Sequence, residues 1–292
     1  PSPSCPSPPD ALMPLSLTDR SPDQRAFVTG AASGLGLAFC RHLARDGWTI
    51  GMADVAVDRL DEVATEIRDL GGMSRTVHLD VTDADAFSKS AADFVEATGG
   101  IDLVINNAGL GAGGPFNETT AEQWRSVIDV NLLGVVNGCQ AFIPHLKNGG
   151  GGHLMNVASI AAVAAAPRMS IYNVTKAGVR ALSETLYAEL SDDGIHVSVV
   201  MPSFFRTNID RDLVGPESAR SMTQALMNKS NLSADEVARH ALDAVASEDI
   251  HVIYPSWMSR VIWYWKRLFP GHYVRGLVKR EREAKAFAEK SS

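Results

Sequence analysis

Short apolar stretches with the pattern of strands alternate with stretches of helical period along most of the chain, from Arg25 to Tyr254. Strands and helices in this order form βαβ units, in which the strands pair in parallel and the crossovers are right-handed. No stretch inside 25–254 has the composition of a linker. The sequence therefore predicts one α/β domain, a doubly wound parallel sheet between two layers of helices, with ligands at the carboxyl ends of the strands.

Local patterns give four expectations about individual elements. We expect a strand at 76–80, where the sequence reads T-V-H-L-D, and one continuous helix over 121–146. A further helix is expected to begin at Pro167, because proline is common in the first turn of a helix, and to run to Leu190. The polar stretch 203–232 is expected to be a loop.

The composition excludes several classes of protein. Of the 292 residues, 45% are hydrophobic and 21% are charged, which is ordinary for a globular protein, and the net charge of −7 argues against general affinity for nucleic acids. Cys5, Cys40 and Cys139 are odd in number and far apart, so we expect a reducing compartment, the cytoplasm, and no disulfide framework. The sequence contains no metal-ligand spacing and no apolar run of about 18 residues, so we predict neither a metal site nor a transmembrane helix.

The two ends of the chain differ in composition from the domain between them. Residues 1–24 are rich in Pro and Ser, lack a hydrophobic secretory core, and are expected to be extended or disordered. Residues 255–292, the C-terminal extension, carry nine Lys or Arg residues against three acids, a balance of +6. Because the whole chain carries −7, the remainder carries −13.

The C-terminal extension is expected to be helical, with several apolar residues on one stripe and basic residues beside it. The stripe consists of Trp257, Val261, Tyr264, Trp265 and Leu268. Aromatic and basic residues in this arrangement suit a helix that lies on a membrane surface. A helix that packs on its own domain or on a neighbouring subunit is the alternative, and both interpretations stay open at this point.

A glycine-rich turn separates the first predicted strand from the first predicted helix. It reads T-G-A-A-S-G-L-G from Thr29 to Gly36, so its glycines are spaced G-x3-G-x-G. Glycines let the backbone turn tightly and approach a pyrophosphate, and the helix N-terminus supplies free N–H groups and partial positive charge. The turn predicts a cofactor site; the alternative is a turn that binds nothing. Its candidate ligands are Gly30, Ser33, Gly34, Leu35 and Gly36.

Asp54 ends the second predicted strand, 20 residues after Gly34. An acid in this place hydrogen-bonds the hydroxyl groups of an adenosine ribose. Its charge would also repel a 2′-phosphate, and no Arg or Lys occurs at 31–33 or 55–57 to neutralise one. We therefore predict NAD(H) rather than NADP(H) as the cofactor. The alternative is a solvated acid at the end of a strand.

Tyr172 and Lys176 stand four residues apart in a predicted helix, so their side chains share one face, about 5–6 Å apart. A phenol has a pKa of about 10 and is a poor base at neutral pH. A neighbouring cation favours the phenolate and lowers the pKa toward the range in which proton transfer is effective. The pair is a candidate for acid–base chemistry, although this spacing is frequent by chance and the rest of the chain must support it.

Several motifs occur together in one order. After the glycine turn come N-N-A-G from Asn106 to Gly109, then Asn131, Ser159, Y-N-V-T-K from Tyr172 to Lys176, and Pro202 with Thr207. In order and spacing they resemble the single-domain short-chain dehydrogenase/reductase family over roughly 25–254. The resemblance implies a Rossmann-type subunit, a homodimer or homotetramer, and hydride transfer at a carbinol or carbonyl carbon.

The resemblance also implies roles for four polar residues. Tyr172 would be the general acid/base and Ser159 would steady the substrate oxygen. Lys176 would bind the nicotinamide ribose and lower the pKa of Tyr172. Asn131 would hold a water that relays protons from Lys176. Further cofactor contacts would come from Asp80 and Val81 at the adenine, from Asn107, Ala108 and Gly109 on the adenosine side, and from Pro202, Phe205 and Thr207 near the carboxamide.

One position departs from the family's pattern and lies near the expected substrate. Ser203 stands where members usually carry glycine after the proline, and its side chain would narrow the pocket. The other expected walls are apolar or small, which favours a sizeable hydrophobic secondary alcohol or ketone, while Arg206 and Arg211 stay open as partners for an anionic group. These walls are Leu110, Gly111, Ala161, Ala162, Met169, Phe204, Phe205, Met222 and Met227.

Three other functions stay open. The chain could be a non-catalytic, NAD-binding redox sensor or binding module, although such proteins typically lack the Tyr or the Lys. It could be an NADP-dependent carbonyl reductase. It could also be an epimerase or dehydratase that uses transient oxidation, although these generally carry a larger second domain than the residues after Pro255 provide.

Overall fold

The computed structural model describes residues 17–21, 23–207, 209, 211 and 213–291, so most of the expected N-terminal tail lies outside the described residues. The strands of this part of the chain are β1 Arg25–Thr29, β2 Thr49–Asp54, β3 Met73–His78, β4 Leu103–Asn106, β5 Gly152–Val157, β6 Ile195–Pro202 and β7 His251–Tyr254. They form one parallel sheet in the order β3-β2-β1-β4-β5-β6-β7. The strand order reverses between β1 and β4, where doubly wound sheets open their ligand crevice.

Helices cover both faces of the sheet, and two of them form the C-terminal extension. They are α1 Leu17–Arg20, α2 Gly34–Arg45, α3 Val57–Asp69, α4 Ala84–Thr98, α5 Ala121–Ile128, α6 Gly134–Asn148, α7 Ala161–Ala164, α8 Ser170–Glu189, α9 Glu217–Asn228, α10 Ala234–Ala246, α11 Ser256–Leu268 and α12 Pro270–Ser291. The predicted fold class, a doubly wound parallel sheet between helical layers with a helical extension, is confirmed.

The core consists of two layers of side chains, one on each face of the sheet. In β1, Ala26 and Val28 join the layer that contains the fully buried Trp48. Phe27, between them, points to the opposite layer, where its ring lies 4.8 Å from that of Phe142. Successive side chains of a strand point to opposite faces, so a strand covered on both sides is apolar throughout. The central strands therefore hold the crevice on a rigid base.

The secondary structure of two segments differs from the prediction, because contacts with the rest of the fold determine it. The strand expected at 76–80 lies at Met73–His78, where it pairs with β2 alone at the edge of the sheet. Met73 and His78 are exposed, so backbone hydrogen bonds and not apolar side chains fix its ends. The expected loop 203–232 contains a helix, α9, which follows Pro216.

One expected helix is interrupted, and another begins later than expected. A π-helical turn at Asp129–Leu133 separates α5 from α6. The helix expected to begin at Pro167 begins at Ser170 and follows the short α7. Ala165 and Arg168 have φ angles of 49° and 60°, in the left-handed region that an α-helix of L-residues excludes. The prediction of Pro167 as a helix start was therefore wrong.

By length and composition, the helical run Ala121–Asn148 could cross a membrane, a test that the core helices of globular proteins also pass. It contains the fully buried Asn131 and Phe142, and Phe142 packs against Phe27 of the central strand β1. We interpret this run as a core helix.

The C-terminal extension packs on its own domain through one face. Trp263 of α11 is buried, and the guanidinium of Arg180 lies 5.5 Å from the centre of its ring. Tyr273 of α12 is also buried and donates a hydrogen bond from its hydroxyl to the carbonyl of Ala164, at 2.7 Å. Packing on the domain, one of the two alternatives for the extension, therefore accounts for this face. The opposite face of α11 stays exposed.

The two phenylalanines Phe142 and Phe116 test the assignment of the core. Phe142→Ala removes a fully buried ring and is expected to lower the free energy of unfolding by about 3–5 kcal/mol. Phe116→Ala, at a side chain that is 71% exposed, is the matched control and should change it by less than about 1 kcal/mol. Urea denaturation measures both, and equal losses would contradict the assignment.

Candidate active site

The glycine turn between β1 and α2 forms one wall of the crevice and leaves no room for side chains. Gly30 and Gly34 have φ angles of 67° and 55°, which glycine adopts without strain. A Cβ on Gly36 would lie 2.1 Å from the carbonyl oxygen of Gly30. A Cβ on Gly34 would lie 2.9 Å from Oγ1 of Thr207. The turn and Thr207, both predicted to bind cofactor, therefore meet at the N-terminus of α2.

The N-N-A-G segment after β4 holds this turn in place. Asn107 donates from Nδ2 to the carbonyl of Thr29, at 2.9 Å. The backbone N–H groups of Asn107 and Ala108 donate to Oγ1 of Thr29, at 2.9 and 3.0 Å. Sequence reasoning assigned Asn107 and Ala108 to the adenosine side and gave Thr29 no role. A hydroxyl residue directly before the first glycine was the available signal.

Asp54 lies at the carboxyl end of β2 with both carboxylate oxygens engaged by backbone. Oδ2 accepts from the N–H of Ala32 at 3.0 Å, and Oδ1 accepts from the N–H of Ala56 at 3.0 Å. The first contact joins the end of β2 to the glycine turn. The carboxylate thereby lines a cleft of about 1280 Å³, together with Gly34 and Thr207. This volume is sufficient for a large ligand.

The same cleft contains four arginines, none of them at the positions directly beside the glycine turn or Asp54. Arg41 is bound by Glu66, with hydrogen bonds of 2.5 and 3.0 Å, and Arg59 by Glu62 at 2.6 Å. Two more arginines line the cleft from the segment after β6: Arg206 and Arg211. The expectation that no basic residue stands near the ribose end of the site considered only neighbouring positions in the sequence and missed all four.

Ser159, Tyr172 and Lys176 come together at the carboxyl end of β5. The side chain of Ser159 lies next to the phenol of Tyr172 and lowers the pKa of that group. The ammonium of Lys176 lies 5.8 Å from the centre of the Tyr172 ring and donates to the carbonyl of Val157 at 2.9 Å. The Ser159 oxygen also accepts from the N–H of Ala161, at 3.2 Å. Two hydroxyl groups and a cation therefore share one small volume.

Asn131 lies on the π-helical turn and is fully buried. Its Oδ1 accepts from the N–H of Leu110 at 2.7 Å, and its Nδ2 donates to the carbonyl of Leu110 at 2.8 Å. The point where a Cβ on Gly109 would stand is 3.2 Å from Oδ1 of Asn131 and 3.5 Å from Nζ of Lys176. Asn131 thus stands near Lys176, with its amide already bonded to backbone.

Burial shifts both titrating groups toward their neutral forms. It raises the pKa of Tyr172, and the neighbouring Ser159 offsets this only in part. It lowers the pKa of Lys176 from 10.5 to about 8. We expected the cation to lower the pKa of the phenol; in the structure burial raises this pKa, and Ser159 rather than Lys176 is the neighbour that lowers it.

The other predicted residues fall into three groups. Ala161 and Ala162 are buried on α7, while Met169, Ser203 and Phe204 are partly buried, the environment expected of substrate walls. Phe205 packs on the core, and Val81 is buried against Gly134. Asp80, expected at the adenine, is exposed and accepts from Thr82, whereas Met227, expected at the substrate, lines the cleft beside Asp54.

Potential metal ligands do not cluster within the described residues: no group of three or more His, Cys, Asp or Glu side chains could hold an ion there.

Pro202, the last residue of β6, accepts a hydrogen bond from the N–H of Ile160 at 2.9 Å. Its carbonyl also lies 3.5 Å from Oγ of Ser159. The end of β6 is thereby joined to the segment that carries Ser159.

Comparison with known proteins finds a family model and relatives that match this chain. The family model described as short chain dehydrogenase matches residues 24–217. The probable oxidoreductase EphD of Mycobacterium tuberculosis is 41% identical over 189 residues, which are 64% of this chain and 32% of EphD. The chain thus spans about a third of the length of this relative.

Solved structures resemble the whole sheet. A short chain dehydrogenase/reductase from Burkholderia phymatum, in complex with NAD, has a TM-score of 0.77 and 31% identity, covering 82% of this chain and 91% of that one. An alcohol dehydrogenase from Thermococcus sibiricus, complexed with 5-hydroxy-NADP, has a TM-score of 0.68 and 31% identity, covering 79% of this chain and 94% of that one.

The buried ammonium of Lys176 predicts a pH dependence of stability. Its pKa is about 8 in the folded chain and 10.5 when exposed, so between these values the unfolded state binds more protons and stability rises with pH. Relative to Lys176→Met, the free energy of unfolding of the wild type should rise by ~2 kcal/mol from about pH 8 to 10.

Urea denaturation at several pH values measures this rise. Lys89→Met is the matched control, because the Lys89 side chain is 75% exposed and its removal should leave the pH profile parallel to that of the wild type. A constant difference between wild type and Lys176→Met over this range would contradict the shifted pKa.

Proposed function

The chain belongs to the short chain dehydrogenase family, and from this membership we propose that it is an NAD-dependent alcohol dehydrogenase and ketone reductase with hydrophobic substrates. Its class is that of an oxidoreductase that binds a nicotinamide cofactor. The observation that carries the proposal is the position of Ser159 next to Tyr172, beside the buried ammonium of Lys176.

The chemistry requires few protein groups. A bound nicotinamide supplies the acceptor or donor of hydride. When an alcohol is oxidised, its O–H proton passes to Oη of Tyr172 as hydride leaves the carbon; in reduction, Tyr172 returns the proton to the carbonyl oxygen. The Ser159 hydroxyl donates to the same oxygen and orients the reacting carbon. The two side chains already lie next to each other after the end of β5.

Lys176 and Asn131 are proposed to serve proton movement and binding. With a pKa of about 8, the ammonium is mostly charged at neutral pH yet able to exchange its proton. It would donate to the nicotinamide ribose, and a water held near Asn131 would connect it to solvent. The carbonyl of Leu110 and the amide of Asn131 already satisfy each other, which fixes the side chain beside Gly109 for this role.

The backbone of the glycine turn and the loop after β6 are proposed to hold the rest of the cofactor. Gly30, Gly34 and Gly36 would lie against its pyrophosphate, because their backbone leads into the N-terminus of α2. A side chain on any of the three would collide with the protein. Thr207 would bind near the carboxamide from the other side. Asn107 and Ala108 would line the adenosine side, with Asp80 and Val81 near the adenine.

Preference for NAD(H) is proposed on the carboxylate of Asp54. It is held by two backbone N–H groups at the cleft, where it would accept from ribose hydroxyls and repel a 2′-phosphate. The neighbouring Arg41 and Arg59 are each bound to a glutamate. Arg206 and Arg211 favour the second candidate, an NADP-dependent carbonyl reductase, because both line the same cleft.

Cofactor preference can be tested at Asp54. We expect kcat/KM with NADH to exceed that with NADPH by roughly tenfold or more, and Asp54→Ala to reduce this ratio severalfold. Asp69→Ala, at the exposed last residue of α3, is the control and should leave the ratio unchanged. Equal KM values for the two cofactors in the wild type would reject the preference and favour the second candidate.

Substrate class is proposed from the walls near Ser159. Ala161 and Ala162 are buried, and Met169 and Phe204 are partly buried, so the side chains near the reacting groups are mostly apolar. A sizeable hydrophobic secondary alcohol or ketone fits such walls. From the family resemblance we also expect a homodimer or homotetramer, which light scattering of the purified chain would test. The cysteine usage still predicts the cytoplasm as the compartment.

Removal of one hydroxyl tests the chemistry. Tyr172→Phe should lower turnover by about 10²–10⁴-fold, because it removes the hydroxyl that is proposed to take up and return the proton, while NADH binding, followed by its fluorescence, is retained. Tyr187→Phe, at a 43% exposed position on the same helix, is the matched control and should keep wild-type activity. Substantial turnover by Tyr172→Phe would refute the role, and wild-type NADH binding without turnover would indicate a redox sensor.

A further inference from the structure

The helix α11 presents two faces of different character. One face packs on the domain through the buried Ser259 and Trp263. The opposite face exposes large apolar side chains, with Trp257 at 71% and Leu268 at 68%. Contiguous exposed apolar surface of this kind is uncommon on a soluble protein and marks an interaction site. We call it the aromatic patch; it comprises Trp257, Val261, Tyr264, Trp265, Leu268 and Phe269.

The two helices of the C-terminal extension, which include the aromatic patch, are rich in basic residues. The C-terminal extension carries a balance of +6 against −13 on the rest of the chain. Among the described residues, several exposed basic side chains of α11 and α12 form no ion pair: Arg260, Arg267, Arg275, Lys279 and Arg282. A partner that is apolar beneath a negatively charged surface would match both the exposed apolar side chains and the unpaired cations of the extension.

The extension is held firmly to the body of the protein. Nζ of Lys266 donates to the carbonyl of Val163 at 2.6 Å, and Tyr273 donates to the carbonyl of Ala164 at 2.7 Å. The guanidinium of Arg168 pairs with Glu281 at 3.3 Å. All three contacts reach α7 and the segment between Ser159 and Tyr172. The aromatic patch is therefore preorganised on a rigid support rather than on a loose tail.

We propose that the aromatic patch docks the protein on the surface of a bilayer rich in anionic lipid. Trp and Tyr have apolar rings with a polar edge, which suits them to the boundary between headgroups and acyl chains. The long side chains of Arg260 and Arg267 can bury their stems while their charged ends reach phosphate. The 13 residues of α11 span only about 20 Å, so the helix would lie in the interface and not cross the membrane.

The charge distribution favours lipid over the other occupants. A second copy of the chain would bring an identical +6 surface against this one, and like charges directly opposed are unfavourable. A nucleic acid would satisfy the cations but leave the apolar side chains without partners. An anionic bilayer satisfies both at once, because lipid headgroups are negative and the acyl chains beneath them are apolar.

Co-sedimentation of the full chain with vesicles tests the proposal. We expect the wild type to bind phosphatidylcholine vesicles that contain phosphatidylserine, and to bind pure phosphatidylcholine vesicles roughly tenfold less. The triple variant Trp257→Ser, Tyr264→Ser, Leu268→Ser should lose roughly tenfold or more of the binding to the anionic vesicles. Added salt should weaken wild-type binding because it screens the cations.

A matched triple variant controls for loss of exposed apolar surface in general. Val55→Ser, Met73→Ser, Phe116→Ser removes three side chains that are 60%, 62% and 71% exposed elsewhere on the protein, and should bind the vesicles like the wild type. Equal binding by the two triple variants, or no binding by the wild type at low salt, would overturn the proposal. So would a change of oligomeric state in the aromatic-patch variant alone, which would identify the patch as a contact between copies.

Docking and catalysis can fail separately. Tyr172→Phe should bind vesicles like the wild type while it loses turnover, since Tyr172 is partly buried and lies outside the aromatic patch. The aromatic-patch variant should retain NADH binding in the absence of vesicles. Vesicle binding therefore tests the aromatic patch alone, and turnover tests the proposed reaction alone.

Discussion

Close backbone contact between the turn after β1 and the segment after β4 determines the shape of the site. A Cβ on Gly36 would stand 2.1 Å from the Gly30 carbonyl oxygen, and one on Gly30 would stand 2.9 Å from Nδ2 of Asn107. Asn107 in turn donates to the carbonyl of Thr29. Because a side chain on Gly30 or Gly36 would collide with these groups, both positions stay bare, and the N–H groups at the start of α2 stay accessible to an anionic ligand.

A second convergence brings the polar residues to the same crevice. The π-helical turn between α5 and α6 adds a residue to the helix, which reorients the residues after it. Asn131 on this turn binds the backbone of Leu110, and its oxygen lies near Nζ of Lys176 across the face of Gly109. Three segments that are distant in sequence thus meet at Gly109. A Cβ there would stand 3.2 Å from Oδ1 of Asn131 and 3.5 Å from Nζ of Lys176.

Local residues determine the features that the sequence predicted well, and distant contacts determine those that it missed. The glycine turn, the acid at the end of β2 and the alternation of strands and helices depend on neighbours within one βαβ unit, and the structure has them where expected. Arg206, by contrast, lies more than 150 residues from Asp54 and yet lines the same cleft. The side chains of Ala165 and Arg168 do not indicate that their backbone is left-handed. Glu281 of α12 pairs with Arg168, so tertiary packing maintains the backbone conformation of this segment.

Burial gives the Tyr172 and Lys176 pair its starting protonation state. Water is excluded from both groups, so the pKa of the phenol rises while that of the ammonium falls to about 8. At neutral pH the phenol is therefore a proton donor with a cation near its ring. Reduction of a ketone needs that donor, whereas oxidation of an alcohol needs the phenolate, which burial opposes. The two directions thus require opposite protonation states of one side chain, and positive charge near the phenol favours the state that oxidation needs.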